Sequence, residues 1–189
     1  MTVYLFQDIF LKFRRFFKVD TVDELTFLYD ISFGFLPRHF QPTDDDRIIY
    51  DEEQDVEEMY FIEEGIIGVA FSLIANGFAS TKFSIGKRLA SGLSPQAQCC
   101  LTQHHEIICD HYVLNDCKSQ FIYIALDREV RAFALLKGHL HNEVFPKHPD
   151  IFEKLRTTSL ENYNKKIFEP LNNQRKVEVQ NLNKKSVYR

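Results

Sequence analysis

Apolar residues recur at helical spacing at the very start of the chain, where Phe6, Ile9, Phe10, Phe13, Phe16 and Phe17 fall on one side and Lys12, Arg14 and Arg15 lie between them. The pattern predicts an amphipathic helix over 5–17 with a phenylalanine stripe, suited to core packing or to a partner helix before a membrane surface. Thr21 stands three residues ahead of Glu24, the spacing of a capping box, and a second helix is expected to run to about Gly34. Pro37 ends the helical character, and Pro42, Thr43 and three consecutive Asp mark a loop. Short strands are expected from there, at 47–50, 59–62 and 66–73, with Gly65 supplying the turn between the last two. Asn76-Gly77 signals a hairpin, with 81–89 as its return strand. Residues 90–105 lose periodicity and read as an inserted loop, and strand character returns at 106–109 and 120–125.

From Asp127 the period changes to 3.6, through Val130, Phe133, Ala134, Leu136, Leu140 and Val144, which predicts a helix closed by Pro146. Pro149 and Asp150 open a last helix whose apolar side is Ile151, Phe152, Leu155, Tyr163 and Ile167, ending near Pro170. Beyond Leu171 the chain is Asn, Gln, Lys and Arg, a composition expected of a mobile tail. Helices on both sides of a run of antiparallel strands make the class α+β, not an alternating βαβ fold. The organisation expected is N-terminal helices over 1–38, a strand domain over 39–126, hinge and closing helices over 127–171, and a basic flexible tail over 172–189.

Bulk properties narrow this picture. A chain of 189 residues fits one domain with helical attachments, and 18 Phe with no Trp make Phe the main aromatic of the core. The net charge of −4 offers no broad basic field and argues against nucleic acid as a partner. Charge is unevenly placed, at −10 over 44–64 against +3 over 1–18 and +4 over 171–189. Four Cys without a secretory apolar segment read as reduced thiols of a cytoplasmic protein. No stretch approaches the roughly 18 apolar residues that span a bilayer.

Three enzyme-like or metal-like readings fail on their motifs. Cys99, Cys100, His104, His105, Cys109 and His111 cluster in sequence, but adjacent Cys and adjacent His do not match the separations a tetrahedral zinc ion needs. No G-x-S-x-G elbow occurs, and Gly65-Ile66-Ile67-Gly68 sits inside a hairpin without opening a helix, so neither a nucleophile nor a phosphate loop is indicated. The chain is expected not to be an enzyme.

The run Glu57-Glu58-Met59-Tyr60-Phe61-Ile62-Glu63-Glu64-Gly65-Ile66-Ile67-Gly68-Val69 resembles the strand-turn-strand of cyclic-nucleotide-binding domains. Leu36-Pro37-Arg38-His39-Phe40 and Ile48-Ile49-Tyr50 upstream resemble the same domain in voltage-gated potassium and cation channels, and Phe121-Ile122-Tyr123-Ile124-Ala125 followed by Val130–Leu135 resembles its last strand and hinge helix. Asp110-His111-Tyr112-Val113-Leu114 with Lys118-Ser119-Gln120-Phe121 looks most like channels of ciliated protists. The resemblance covers roughly 5–171 and implies an antiparallel β-roll flanked by helices, with the N-terminal helices coupling the roll to a pore.

It also implies a pocket and its degeneration. The family's Gly-Glu pair and phosphate-binding Arg align with Cys109, Asp110 and Ser119, so two of three residues are replaced and the third is shortened. Lys118 supplies charge beside the missing Arg but not its bidentate fork. The implied function is a regulatory channel domain without a cofactor, binding cyclic AMP or cyclic GMP at most weakly. It would work through neighbouring subunits, the pore module or other protein partners, with the phenylalanine stripe packing partly on a neighbouring subunit. The alternative is a free-standing soluble adaptor that uses the roll as a scaffold, favoured if a chain opening at Met1 without a spanning segment is complete. Deleting 90–105 is expected to leave one cooperative urea transition, because a polar surface loop closes at little entropic cost. A broadened or lost transition contradicts the insertion reading.

Overall fold

The computed structural model describes residues 7–14, 16–18, 20–41, 47–71, 100–102 and 105–187, with side chains undescribed at 100–102 and 181–187. Among the described residues two short helices come first, α1 (Gln7–Lys12) and α2 (Val22–Ser32). Eight described strands and a small helix follow: β1 (Phe35–Phe40), β2 (Ile48–Tyr50), β3 (Glu58–Glu64), β4 (Ile67–Ala70), β5 (Cys100–Thr102), β6 (Ile107–Ile108), α3 (Asp110–Asn115), β7 (Ile122–Ala125) and β8 (Val130–Leu136). The chain closes with α4 (Lys137–His139), which runs on through a π-helical turn, Leu140–Val144, and a 3₁₀ turn, Phe145–Lys147. Then come α5 (Pro149–Tyr163), a π-helical turn (Asn164–Phe168) and α6 (Glu169–Val187). The hairpin at Asn76-Gly77, the strand at 81–89, most of the loop 90–105 and Phe6 lie outside the described residues.

The strands pair antiparallel in two four-stranded sheets, ordered β1-β8-β3-β6 and β2-β7-β4-β5. Antiparallel sheets plus flanking helices form the expected α+β β-roll. The turn between β3 and β4 rests on Gly65 at φ 95°, where an added Cβ would stand 2.7 Å from the Glu129 carbonyl oxygen. Glycine is required there on both conformational and steric grounds. At the start of α2 the Thr21 hydroxyl accepts from the Glu24 N–H, and the Glu24 carboxylate accepts from the Thr21 N–H, the reciprocal cap that the spacing predicts.

β3 is buried on both faces, so the molecule needs two apolar layers. Tyr60 packs toward Phe40 and Tyr50 on one face, at ring-centroid distances of 5.5 and 6.1 Å. On the other face Phe61, fully buried, is surrounded by Phe13, Phe16, Phe17 and Phe35 at 5.1, 5.5, 5.3 and 5.5 Å. The phenylalanine stripe is therefore covered by its own domain: Phe10, Phe13, Phe16 and Phe17 are all buried here. This corrects the expectation that the stripe packs partly on a neighbouring subunit, for these four residues. The helix is also shorter than the predicted 5–17, ending at Lys12 so that the following residues can fold down onto β3.

Three further elements differ from the sequence reading. Residues 130–136, expected as a helix, are the strand β8, which pairs with both β1 and β3. Residues 35–40, where no strand was expected before 47, form β1, and Pro37 is tolerated because β1 is a sheet edge among the described strands. Residues 172–187, expected as a mobile tail, continue α6. Phe61→Ala is expected to cost about 3–5 kcal/mol, the usual range for emptying a buried Phe site, and urea unfolding measures it. A loss below about 1 kcal/mol would mean that the cluster does not hold the helical layer on the sheet.

Candidate functional site

Cys109 and Asp110 stand where β6 passes into α3. Cys109 is buried and takes a left-handed conformation, φ 64°, that costs a residue with a side chain about 1–2 kcal/mol and a glycine little. Burial, and then the neighbouring Asp110, push its thiol well up, so it is not a reactive thiolate. Asp110 opens α3 partly buried, and burial pushes its carboxyl up to about 6. The Ser159 hydroxyl facing it from α5, backbone N–H groups and Lys166 pull the value back only in part. Apart from this approach to Asp110, the buried Ser159 Oγ makes no hydrogen bond among the described residues.

Both residues border a cavity of about 670 Å3 lined by the N-terminal segment, α2, β6, α3 and α5. Ser119 does not border it. Ser119 is fully buried, and its hydroxyl donates to the Phe121 carbonyl at 2.6 Å. Its backbone is pinned to the loop after β2, with Ser119 N–H donating to Gln54 O at 2.9 Å and Glu53 N–H donating to Ser119 O at 2.8 Å. Lys118 is exposed and reaches toward Asp55, at 3.9 Å. The three residues aligned with one pocket thus divide into two places, and Lys118 serves neither.

A residue that sequence reasoning missed lies against Phe121, two residues beyond Ser119. Arg175 of α6 lays its guanidinium 5.1 Å over the Phe71 ring and 5.7 Å from the Phe121 ring, and pairs with Glu52. Only its membership of a basic C-terminal run was visible, and such runs usually solvate. Tyr163 was read merely as part of the apolar side of the last helix. Its hydroxyl donates to Gln120 Oε1 at 2.7 Å and accepts from the Tyr112 hydroxyl at 3.1 Å, and its ring stacks on His111 at 4.2 Å. Burial lowers the pKa of His111, which favours a neutral ring in that stack. The closing helices are thereby tied to α3 and to the segment before β7.

Among the described residues no group of three or more His, Cys, Asp or Glu is placed to hold a metal ion. Cys99 and His104 lie outside them, His105 is exposed beside Phe13, and His111 is committed to Tyr163.

No family model and no curated protein sequence matches the chain. Solved structures do. The fold is similar to the catabolite activator protein of Thermus thermophilus, at 11% identity and TM-score 0.53, over 83% of this chain and 61% of that one. It is similar to a putative cyclic nucleotide-binding protein from Geobacter metallireducens, at 14% identity and TM-score 0.52, over 84% of this chain and 93% of that one. It is also similar to the regulatory domain of Toxoplasma gondii PKA, solved with cAMP, at 11% and 0.52, over 84% of this chain and 51% of that one. The chain therefore spans about three fifths of the Thermus protein and half of the Toxoplasma one. At these identities the likeness is one of fold, and the fold is that of cyclic-nucleotide-binding domains.

The raised Asp110 pKa fixes the sign of a pH effect. The folded state holds this proton more tightly than the unfolded chain, so stability falls as pH rises from about 4 to about 6, and the penalty is fully present above that. Asp110→Asn is expected to raise the urea midpoint over the unsubstituted chain at pH 7.5, with the two converging near pH 4. Parallel midpoints across that window would show that the carboxyl titrates normally.

Proposed function

We propose that this chain is a regulatory domain of a cation channel, built on the cyclic-nucleotide-binding fold, in which the nucleotide pocket is degenerate and the protein's own closing helix occupies the cassette. The observation that carries the reading is the pair Ser119 and Arg175. At the position where the family places its phosphate-binding guanidinium, Ser119 spends its hydroxyl on the Phe121 carbonyl. The guanidinium found nearby arrives from α6 and is held by Phe71, Phe121 and Glu52. A cyclic phosphate needs a free cationic fork, and this one is engaged within the chain. The left-handed backbone at Cys109, natural for glycine, supports the alignment from which Ser119 was assigned.

Regulation then runs through contacts. Tyr163 and Arg175 hold α5 and α6 against α3 and the roll, while the phenylalanine cluster holds the N-terminal segment against β3. Movement at either end therefore reaches the other through packed side chains. α2 keeps an outward stripe of Val22, Leu25, Tyr29 and Phe33, each at least 48% exposed, which suits a neighbouring subunit, a pore module or another protein partner. The same stripe fits an adaptor that binds partners directly. Among the described residues no helix is long and apolar enough to cross a membrane, so a pore would be formed by other segments.

Calorimetry with cyclic AMP and cyclic GMP is expected to give dissociation constants no tighter than about 0.1 mM. Saturation at low micromolar concentration would overturn the degenerate-pocket reading. Ser119→Arg combined with Arg175→Ala is expected to raise the affinity at least tenfold, about 1.4 kcal/mol. Amide exchange over α6 should speed up in Arg175→Ala alone, and unchanged protection would mean that Arg175 does not dock the helix.

A further inference from the structure

The cavity beneath α5 is separate from the Arg175 contact. At about 670 Å3 it falls in the size range of small-molecule sites. Its apolar lining is chiefly Phe13, Phe16, Phe27, Ile151 and Leu155. Of the polar lining, Glu24 and Glu106 are paired with lysines and His111 is stacked on Tyr163, which leaves Asp110 and Ser159 among the less exposed groups open to a ligand. Ser159 is 3% exposed, lines the cavity, and its Oγ has no hydrogen-bond partner among the described residues. Only the Asp110 carboxyl faces this hydroxyl, so a ligand group reaching it would complete its hydrogen bonding. Beside it is the partly buried carboxyl of Asp110, which accepts hydrogen bonds when ionised.

The edge of the cavity has the opposite character. Lys12, Lys154 and Lys166 are paired with Glu63, Glu24 and Glu106 at 3.1, 3.3 and 2.9 Å. Arg14 and Lys18, both exposed and both lining the cavity, form no ion pair among the described residues. They leave a positive mouth that favours anions and opposes cations.

We propose that this cavity binds an amphiphilic anion bearing a hydroxyl at its apolar end, with the anionic group at Arg14 and Lys18, the body among the phenylalanines, and the hydroxyl between Asp110 and Ser159. The site is distinct from the place of the degenerate phosphate contact, because neither Ser119 nor Phe121 lines it. It stands whether or not the channel reading does.

Three small probes separate the components. With the full chain, 10-hydroxydecanoate is expected to bind one to one by calorimetry. Decanoate, which lacks the hydroxyl, and 1,10-decanediol, which lacks the anion, should each bind about tenfold more weakly. Ser159→Val should erase the preference for 10-hydroxydecanoate over decanoate, and Arg14→Glu with Lys18→Glu should erase its preference over the diol. If Ser159→Val does not fold, Ser159→Ala serves, since it removes the same hydroxyl with less change of shape. Equal affinity for all three probes, or no binding at millimolar concentration, overturns the proposal. Vesicles of phosphatidylglycerol separate the two sources of such chemistry. Co-sedimentation that 10-hydroxydecanoate competes away supports the same site taking a lipid headgroup. Co-sedimentation without any binding of the monomeric probe overturns the proposal in favour of a surface contact.

Discussion

Everything in this structure is arranged around the need to bury both faces of β3. A strand with Met59, Tyr60, Phe61 and Ile62 all buried cannot sit on the outside of a roll. One face must look into the barrel interior, and the other must be roofed. The roof is the N-terminal phenylalanine segment, and its closest packing is the set of edge-to-face and stacked rings around Phe61. Each such pair adds about 0.5–1.5 kcal/mol beyond the area it buries. Against a total stability of about 5–15 kcal/mol for a domain, a cluster of this size decides whether the helical layer stays on the sheet.

That constraint sets the place of both sites. Because the N-terminal segment is drawn down onto β3, it forms one wall of the cavity that opens beside α3, and α5 forms another. The small helix α3 is enclosed between residues in left-handed conformation, Cys109 before it and Asp116 after it, which turn the chain sharply out of β6 and back toward β7. Asp110 consequently faces α5 on one side, while Ser119 is carried round to the loop after β2 on the other. One cassette thus presents two chemically different surfaces, a cavity with an unpartnered hydroxyl and an aromatic shelf already covered by a guanidinium.

Strong local signals were legible in the sequence. The Met59–Ile62 run, the glycine at 65 and the Thr21 to Glu24 cap each carry their reason within a few residues. What failed were segments whose state is set by remote partners. Val130, Phe133, Ala134 and Leu136 fit a 3.6 period, but Val130, Ala132 and Ala134 also share one face of a strand, and pairing with both β1 and β3 decides between the two. Pro37 reads as a breaker until β1 is known to be an edge. At the site, the alignment of Cys109, Asp110 and Ser119 rests on the resemblance alone. Spacing did not show that Arg175 returns from a distant helix to lie against the Phe121 ring, two residues beyond Ser119.

The continuity of the closing helices joins the two surfaces. α5, the π-helical turn over Asn164–Phe168 and α6 form one unbroken helical run, with Ser159 before the turn and Arg175 beyond it. Whatever displaces α5 from the cavity must therefore also strain the hold of Arg175 on Phe71, Phe121 and Glu52, and whatever strengthens that hold keeps the cavity in its present shape. A ligand can shift such a balance only by the difference in its affinity for the two arrangements, however tightly it binds either one. A molecule that fits the cavity as it stands stabilises the docked helix, and one that needs a wider cavity releases it. On the readings proposed above, the direction of regulation is set by the shape of the ligand relative to α5, while its charge sets only how strongly it is drawn to the mouth.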